Sequence, residues 1–184
     1  MKRHILYLCL ILSAHSAMAT MASHNTTDTT SSWIDQIRTL RDAIYHRDKE
    51  TTKTFFSFPF NSAEFWYIVD VPHLAEKEAP VTEKSFDLYF DKIFDKAFIT
   101  SFLKIKTKDL YEKGSSKTAE FTDDQAAFYS MEATFDKEEQ TVTLQLSGYN
   151  KKVDPEIGGG EYAIFYVFKL KSGKLKFDKI TMAG

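Results

Sequence analysis

Hydrophobic positions follow a helical period in the first half of the chain and alternate in the second half. The first helical stretch predicts a helix that begins near Trp33, with Ser31 or Ser32 available as N-cap. The pattern resumes after Arg47-Asp48 and predicts a shorter second helix that ends near Phe56. The apolar positions of the first helix are Trp33, Ile34, Ile37, Leu40 and Ile44.

Residues 65–71 predict a strand between these helices and the next one. The segment is rich in aromatic and β-branched side chains and stops before Pro72. Pro59 disfavours helix for the residue before it, so the Phe58-Pro59-Phe60 segment is predicted to form a turn that leads into this strand.

A third helix is predicted after Thr82 or Ser85, either of which can cap it. Its apolar stripe is unusually wide and aromatic, so it must pack against a broad surface, for which a sheet is the natural partner. The stripe consists of Phe86, Phe90, Ile93, Phe94, Ala97, Phe98 and Phe102.

From residue 126 onward, apolar and polar residues alternate, which predicts four strands of an antiparallel meander. Turn-forming residues at 136–139, 155–160 and 172–173 mark the three connections. In the last strand the spacing of Phe177 and Ile180 requires a β-bulge near Asp178-Lys179. The fold class is therefore α+β. The predicted inward positions are Tyr129, Met131, Ala133, Phe135, Val142, Leu144, Leu146, Tyr162, Ile164, Tyr166, Phe168, Leu170, Leu175 and Phe177.

The N-terminal segment has the pattern of a secretory signal peptide. A basic start is followed by a short apolar run and by Ala17-Met18-Ala19, which predicts cleavage after residue 19. The apolar run is shorter than the roughly 20 residues of a spanning helix, which disfavours an uncleaved anchor. We therefore expect a signal peptide at 1–19, a flexible Ser/Thr-rich lead-in at 20–32 and one domain at 33–184, exported to the periplasm of a Gram-negative bacterium or secreted.

Composition narrows the chemistry of the exported chain. Cys9 is the only cysteine and lies in the signal peptide, so disulfides and thiolate chemistry are not expected. Without Lys2 and Arg3, 22 basic residues face 26 acidic ones, a net charge of −4. This mild acidity argues against a general nucleic-acid binder, and we expect no membrane partner after cleavage.

The order of elements resembles the nuclear-transport-factor-2-like superfamily, also called cystatin-like, and its small exported bacterial members. The likeness is carried by Arg47-Asp48-Lys49, Phe58-Pro59-Phe60, the Phe-rich segment 86–94 and the terminal strands at 162–182. The resemblance implies a cone in which helices pack in the concave face of a curved antiparallel sheet and leave an apolar pocket. That superfamily includes isomerases, dehydratases, binding modules and dimerisation domains, so it does not determine function.

Candidate catalytic and metal-binding residues are sparse. Asp87, Asp91 and Asp95 form a carboxylate ladder at intervals of four residues, for which a solvated polar helix face is the favoured interpretation. The three histidines after residue 19 lack metal-ligand spacing, and Gly158-Gly159-Gly160 precedes a strand instead of a helix. We expect no cofactor, no metal and no catalytic residue that can be transferred from the resemblance.

Two surfaces are candidates for binding. Trp66, Tyr129, Tyr166 and Phe177 are candidate cavity-lining residues, with ordinary core packing as the alternative. Phe165 and Val167 face away from the predicted core, so a partner, for example a second copy, could cover them.

Three functions remain open. The first is an exported, non-catalytic binding or interaction module with an apolar cone cavity, whose partner is an unidentified small apolar molecule or protein. The second is a small-molecule isomerase or dehydratase of the cone fold, which needs a titratable group in the cavity. The third is an inhibitor or immunity-type protein that uses an exposed loop such as residues 154–160.

Overall fold

The computed structural model describes residues 32–122, 127–150 and 160–184, and in these residues seven helices precede a six-stranded antiparallel sheet. The predicted α+β class is confirmed. The predicted signal peptide, most of the lead-in and residues 154–159 lie outside the described residues. The helices are α1 (Trp33–Tyr45), α2 (Lys49–Lys53), α3 (Ala63–Ile68), α4 (Pro72–Glu76), α5 (Glu83–Ile93), α6 (Lys96–Lys104) and α7 (Thr107–Lys113). The strands are β1 (Ser115–Lys117), β2 (Phe121–Thr122), β3 (Ala127–Asp136), β4 (Thr141–Asn150), β5 (Glu161–Lys171) and β6 (Lys174–Ala183).

The first two helices form where the hydrophobic period places them. α1 buries its apolar face, with Ile37 and Leu40 fully enclosed. Asp48 is the N-cap of α2: its carboxylate accepts a hydrogen bond from the Thr51 N–H and so satisfies one free donor of the first turn. None of the described helices is both long and apolar enough to cross a membrane.

The strand predicted at 65–71 is wrong, because residues 65–68 belong to α3 and residues 69–71 form no strand. Ser62 caps the helix by accepting a hydrogen bond from the Phe65 N–H at 3.1 Å. Phe65, Trp66 and Val69 are buried, whereas Tyr67 is 52% exposed, which is the periodicity of a helix face and not of a strand. Aromatic and β-branched composition favours a strand, but the N-cap and the one-sided burial decide the local structure.

The long third helix predicted from the aromatic stripe is divided into α5 and α6. α5 begins with a capping box between Thr82 and Ser85. At the break, Asp95 caps α6 by accepting a hydrogen bond from the Phe98 N–H at 2.7 Å. The carbonyls exposed by the break find other donors, because the Tyr166 hydroxyl binds the Ile93 carbonyl and Arg47 binds the Phe94 carbonyl.

The aromatic stripe nevertheless continues across the break as one row of rings. Five phenylalanines at four-residue intervals have successive ring centroids 5.1–5.7 Å apart, and none is more than 1% exposed. The row packs on the sheet as predicted, since the Tyr166 ring lies 4.6 Å from Phe98 and 6.1 Å from Phe94. The row consists of Phe86, Phe90, Phe94, Phe98 and Phe102.

The sheet has the order β1-β3-β4-β5-β6, and β2 pairs with a second stretch of β3. The four-stranded meander predicted from alternation corresponds to β3–β6. The two additional strands, of three and two residues, and the short helices α4 and α7 were not predicted, because such short segments carry too few residues to show a period.

The predicted bulge lies in β6. Val167 pairs with Lys179 and Phe168 pairs with Phe177, so Asp178 has no partner in β5. The extra residue restores the alternation and keeps Phe177 and Ile180 on the side that faces the helices. We call this side the inner face, and the alternating residues on the other side form the outer face.

Candidate functional site: the outer face of the sheet

Three of the four predicted cavity residues belong to the packed core. The Trp66 indole N–H donates to the Ala79 carbonyl at 2.7 Å, and its side chain is buried. The Phe177 ring lies 4.6 Å from Phe56 and belongs to the same core cluster as Tyr166. Tyr129 is separate from these residues, because it is half-buried and lines a groove to which the other three do not contribute.

Tyr166 has a structural role in this geometry. Its hydroxyl donates to the Ile93 carbonyl at 2.8 Å, which joins β5 to the C-terminal end of α5. Burial raises the pKa of this phenol well above its ordinary value, and the negative charge of Asp95 adds to the increase. The hydroxyl therefore stays protonated and acts as a hydrogen-bond donor.

The carboxylate ladder is also part of the scaffold. Asp87 pairs with Lys53 and Asp91 pairs with Arg47, each at 3.2 Å, while Asp95 is the N-cap of α6. Across the described residues, no group of three or more His, Cys, Asp or Glu side chains is placed to hold a metal ion.

The outer face of β3–β6 is left outside the core. Its residues are half-buried or exposed, apart from Val167, which is 8% exposed. None of them belongs to the core cluster formed by the helices and the inner face. This face is therefore the broad surface of the described domain that folding leaves available for a ligand or a partner.

Strand register arranges the outer face in rows that run across the strands. One row contains only small side chains, and we call it the small row: Ser130, Ser147, Ala163 and Ala183, which are direct neighbours in the register. On one side of it stands a row formed by Phe128, Tyr149 and Glu161. On the other side stands a row formed by Glu132, Gln145, Phe165 and Thr181. Small residues between two larger rows leave a depression across the sheet.

A groove of about 450 Å³ lies over the small row, and we call it the aromatic groove. Its wall is the pair Phe128 and Tyr149, whose rings stack with centroids 4.9 Å apart and planes 12° apart. Gly148 also borders it, and a Cβ there would point to the inner side of the sheet, where it would lie 2.7 Å from Cζ of Tyr162. The volume falls in the range of about 300–1,000 Å³ that small-molecule sites occupy.

The aromatic groove has an acidic rim. Glu120 and Glu161 line it, and the Tyr149 hydroxyl donates to Oε2 of Glu120 at 3.2 Å. Partial burial raises the pKa of Tyr149, and the charges of Glu120 and Glu161 raise it further. Among the described residues that line the groove, Glu120 and Glu161 are the charged side chains, and there is no lysine or arginine.

A second groove of about 450 Å³ lies at the opposite end of the outer face. Phe165, Val167 and several threonines line it, and a Lys169–Asp178 ion pair of 3.5 Å stands among its lining residues. The two residues predicted to contact a partner are therefore adjacent on this face. Phe165 is only half-buried and offers surface to a partner, whereas Val167 is already almost enclosed.

No family model, no curated protein and no solved structure matches this chain. The site must therefore be interpreted from its own geometry. The sequence analysis gave the outward position of Phe165, but it placed Tyr129 in an inner cavity and missed the aromatic groove that Tyr129 lines. Small residues at the outward positions of four strands were the available signal, yet their alignment depends on a register that the sequence does not show.

Proposed function

We propose that this protein is an exported, non-catalytic binding module that takes its ligand on the outer face of the sheet, in the aromatic groove. The observation that carries the proposal is a groove of about 450 Å³, with a floor of small side chains and an aromatic wall, on a face that contributes nothing to the core cluster. Aromatic walls with a few polar groups are typical of ligand sites. The N-terminal sequence pattern supports the proposal that the protein is exported.

The proposal places binding on the outer face because the inner side is occupied by the protein's own rings. Where the resemblance to the cystatin-like cone implies an apolar pocket, Phe94, Phe98 and Tyr166 are in mutual contact. An isomerase or dehydratase would need a titratable group in the cavity with a displaced pKa and a polar atom free for the substrate. Of the described groups, Tyr166 has the most strongly raised pKa, and its hydroxyl is committed to the Ile93 carbonyl. Binding without catalysis is therefore the better-supported function.

A second copy of the chain is a further candidate partner, bound near Phe165 at the other end of the outer face. Half-buried aromatic side chains on an uncovered sheet face are typical of the centre of a dimer interface. In this proposal, Phe165→Asp would increase the dimer dissociation constant at least tenfold, while Leu88→Asp on α5 would leave it unchanged. Sedimentation equilibrium measures both variants. A wild-type protein that is monomeric at every concentration tested would exclude the dimer.

The binding function is tested by native mass spectrometry of the protein purified from its own host. We expect a retained small molecule, and we expect Ala163→Phe, which fills the floor of the aromatic groove, to remove it. Leu88→Phe is the matched control, because it adds the same aromatic ring at a helix position that is 71% exposed and lies outside the groove. Retention of the same molecule by Ala163→Phe, or a wild-type protein without any ligand, would contradict the proposal.

A further inference from the structure

We infer that the aromatic groove selects a guanidinium group, and that its occupant is an arginine side chain of a peptide. This inference rests on the proposed function, because it specifies the ligand of the same groove. It is carried by two independent features, the charge of the rim and the chemistry of the wall.

The rim charge selects a cation. Glu120 and Glu161 are exposed carboxylates, and no described lining residue neutralises them. Within the described part of the chain, the Glu120 carboxylate accepts a hydrogen bond from the neutral phenol of Tyr149, which leaves its negative charge in place. A ligand that brings a positive charge here gains attraction from both carboxylates, whereas an anion would be repelled.

The wall favours a planar cation over a compact one. Phe128 and Tyr149 form a nearly parallel ring stack beside the carboxylates. A guanidinium group can stack on an aromatic face and at the same time donate two parallel hydrogen bonds to a carboxylate, which an ammonium group cannot do.

The floor admits a long side chain. The floor consists of the short side chains of Ser130, Ser147 and Ala163, which come from three neighbouring strands. An extended arginine side chain can therefore lie across the strands, with its methylene groups on the floor and its guanidinium group at the rim. The serine hydroxyls leave polar atoms beneath it.

The test is an NMR titration of the full-length, ¹⁵N-labelled protein with the peptides acetyl-Gly-Arg-Gly-amide, acetyl-Gly-Lys-Gly-amide and acetyl-Gly-Gln-Gly-amide. We expect the arginine peptide to shift the amide signals of Ser130, Ser147 and Ala163 and to bind about tenfold more tightly than the glutamine peptide. The lysine peptide should lie between them. Affinity for the arginine peptide should fall as salt is raised, because the carboxylates are exposed.

A pair of double variants separates the role of the rim from that of net charge. Glu120→Gln/Glu161→Gln should weaken binding of the arginine peptide about tenfold. Glu76→Gln/Glu138→Gln changes the net charge equally at exposed positions outside the groove and should leave binding unchanged.

The outcomes distinguish this inference from the proposed function. Equal shifts at the small row with the arginine and glutamine peptides would overturn the choice of a cation and leave the binding groove in place. A lysine peptide that binds as tightly as the arginine peptide would overturn the choice of guanidinium. If no peptide shifts these signals, the inference fails, and the native mass spectrometry experiment decides the proposed function separately.

Discussion

The Tyr166 hydroxyl joins the sheet to the end of α5, and Tyr166→Phe removes that bond while it keeps the ring. In the wild type the hydroxyl donates to the Ile93 carbonyl at 2.8 Å inside the core. The phenylalanine variant leaves this carbonyl without its donor and away from water. The loss of a buried hydrogen bond of this kind reduces the free energy of unfolding by about 1–3 kcal/mol.

The same bond predicts how stability depends on pH. The pKa of Tyr166 is raised in the folded state, so its full contribution is present below the unfolded pKa of about 10. Above that pH the unfolded phenol ionises while the folded one does not, and stability falls as the pH rises towards the folded pKa. The advantage of the wild type over Tyr166→Phe should therefore shrink by about 1.4 kcal/mol between pH 8 and pH 11.

The assay is urea unfolding followed by tryptophan fluorescence and circular dichroism, for both proteins at pH 8 and pH 11. Tyr67→Phe is the control, because Tyr67 is 52% exposed and its variant should match the wild type at pH 8. If Tyr166→Phe is as stable as the wild type at pH 8, the hydrogen bond does not stabilise the fold. If the difference in the free energy of unfolding between the two proteins stays constant up to pH 11, the folded state does not protect the Tyr166 phenol from ionisation, which contradicts its burial.

Further predictions concern the helical layer and use the same unfolding measurement. Phe94→Ala should reduce the free energy of unfolding by about 3–5 kcal/mol, because Phe94 is fully buried in the row of rings. Leu88→Ala, at a position that is 71% exposed, should change the free energy of unfolding by less than about 0.5 kcal/mol. Similar losses for the two variants would refute the packing described for α5. Asp95→Ala should reduce the free energy of unfolding by about 1 kcal/mol through loss of the α6 N-cap, whereas Asp95→Asn should keep most of the wild-type stability because asparagine can also cap a helix. Equal destabilisation by both variants would show that the cap is not the cause. Ser101→Ala should stabilise the protein by about 1 kcal/mol, because the Ser101 hydroxyl is buried without a hydrogen-bond partner, and a loss of stability would reveal a partner for it.

The elements that the sequence predicted correctly are those whose signal is local and long. α1, the aromatic stripe of 86–102 and the four long strands each repeat an apolar position several times, so their period is visible in one segment. The bulge at Asp178 was visible for the same reason, since it interrupts an established alternation. The α+β class follows from these elements.

The errors occur where local preference and tertiary burial disagree or where the segment is too short. Residues 65–71 have the composition of a strand, yet the Ser62 cap and the burial of Phe65, Trp66 and Val69 place residues 65–68 in a helix. The division between α5 and α6 depends on Asp95 and on donors from Arg47 and Tyr166 that are distant in sequence. β1 and β2 are strands only because β3 supplies their hydrogen-bond partners.

By itself, the sequence determined the class of the fold, the faces of the long strands and the residues that form the row of rings, because each of these follows from the spacing of side chains along one element. It also carries the pattern of an export signal. Only the tertiary structure decided which outward residues are neighbours. Ser130, Ser147 and Ala163 form one floor because strand pairing aligns them, and Glu120 meets Tyr149 across β3 for the same reason. A shift of one residue in that pairing would remove the groove, since successive side chains of a strand point to opposite faces.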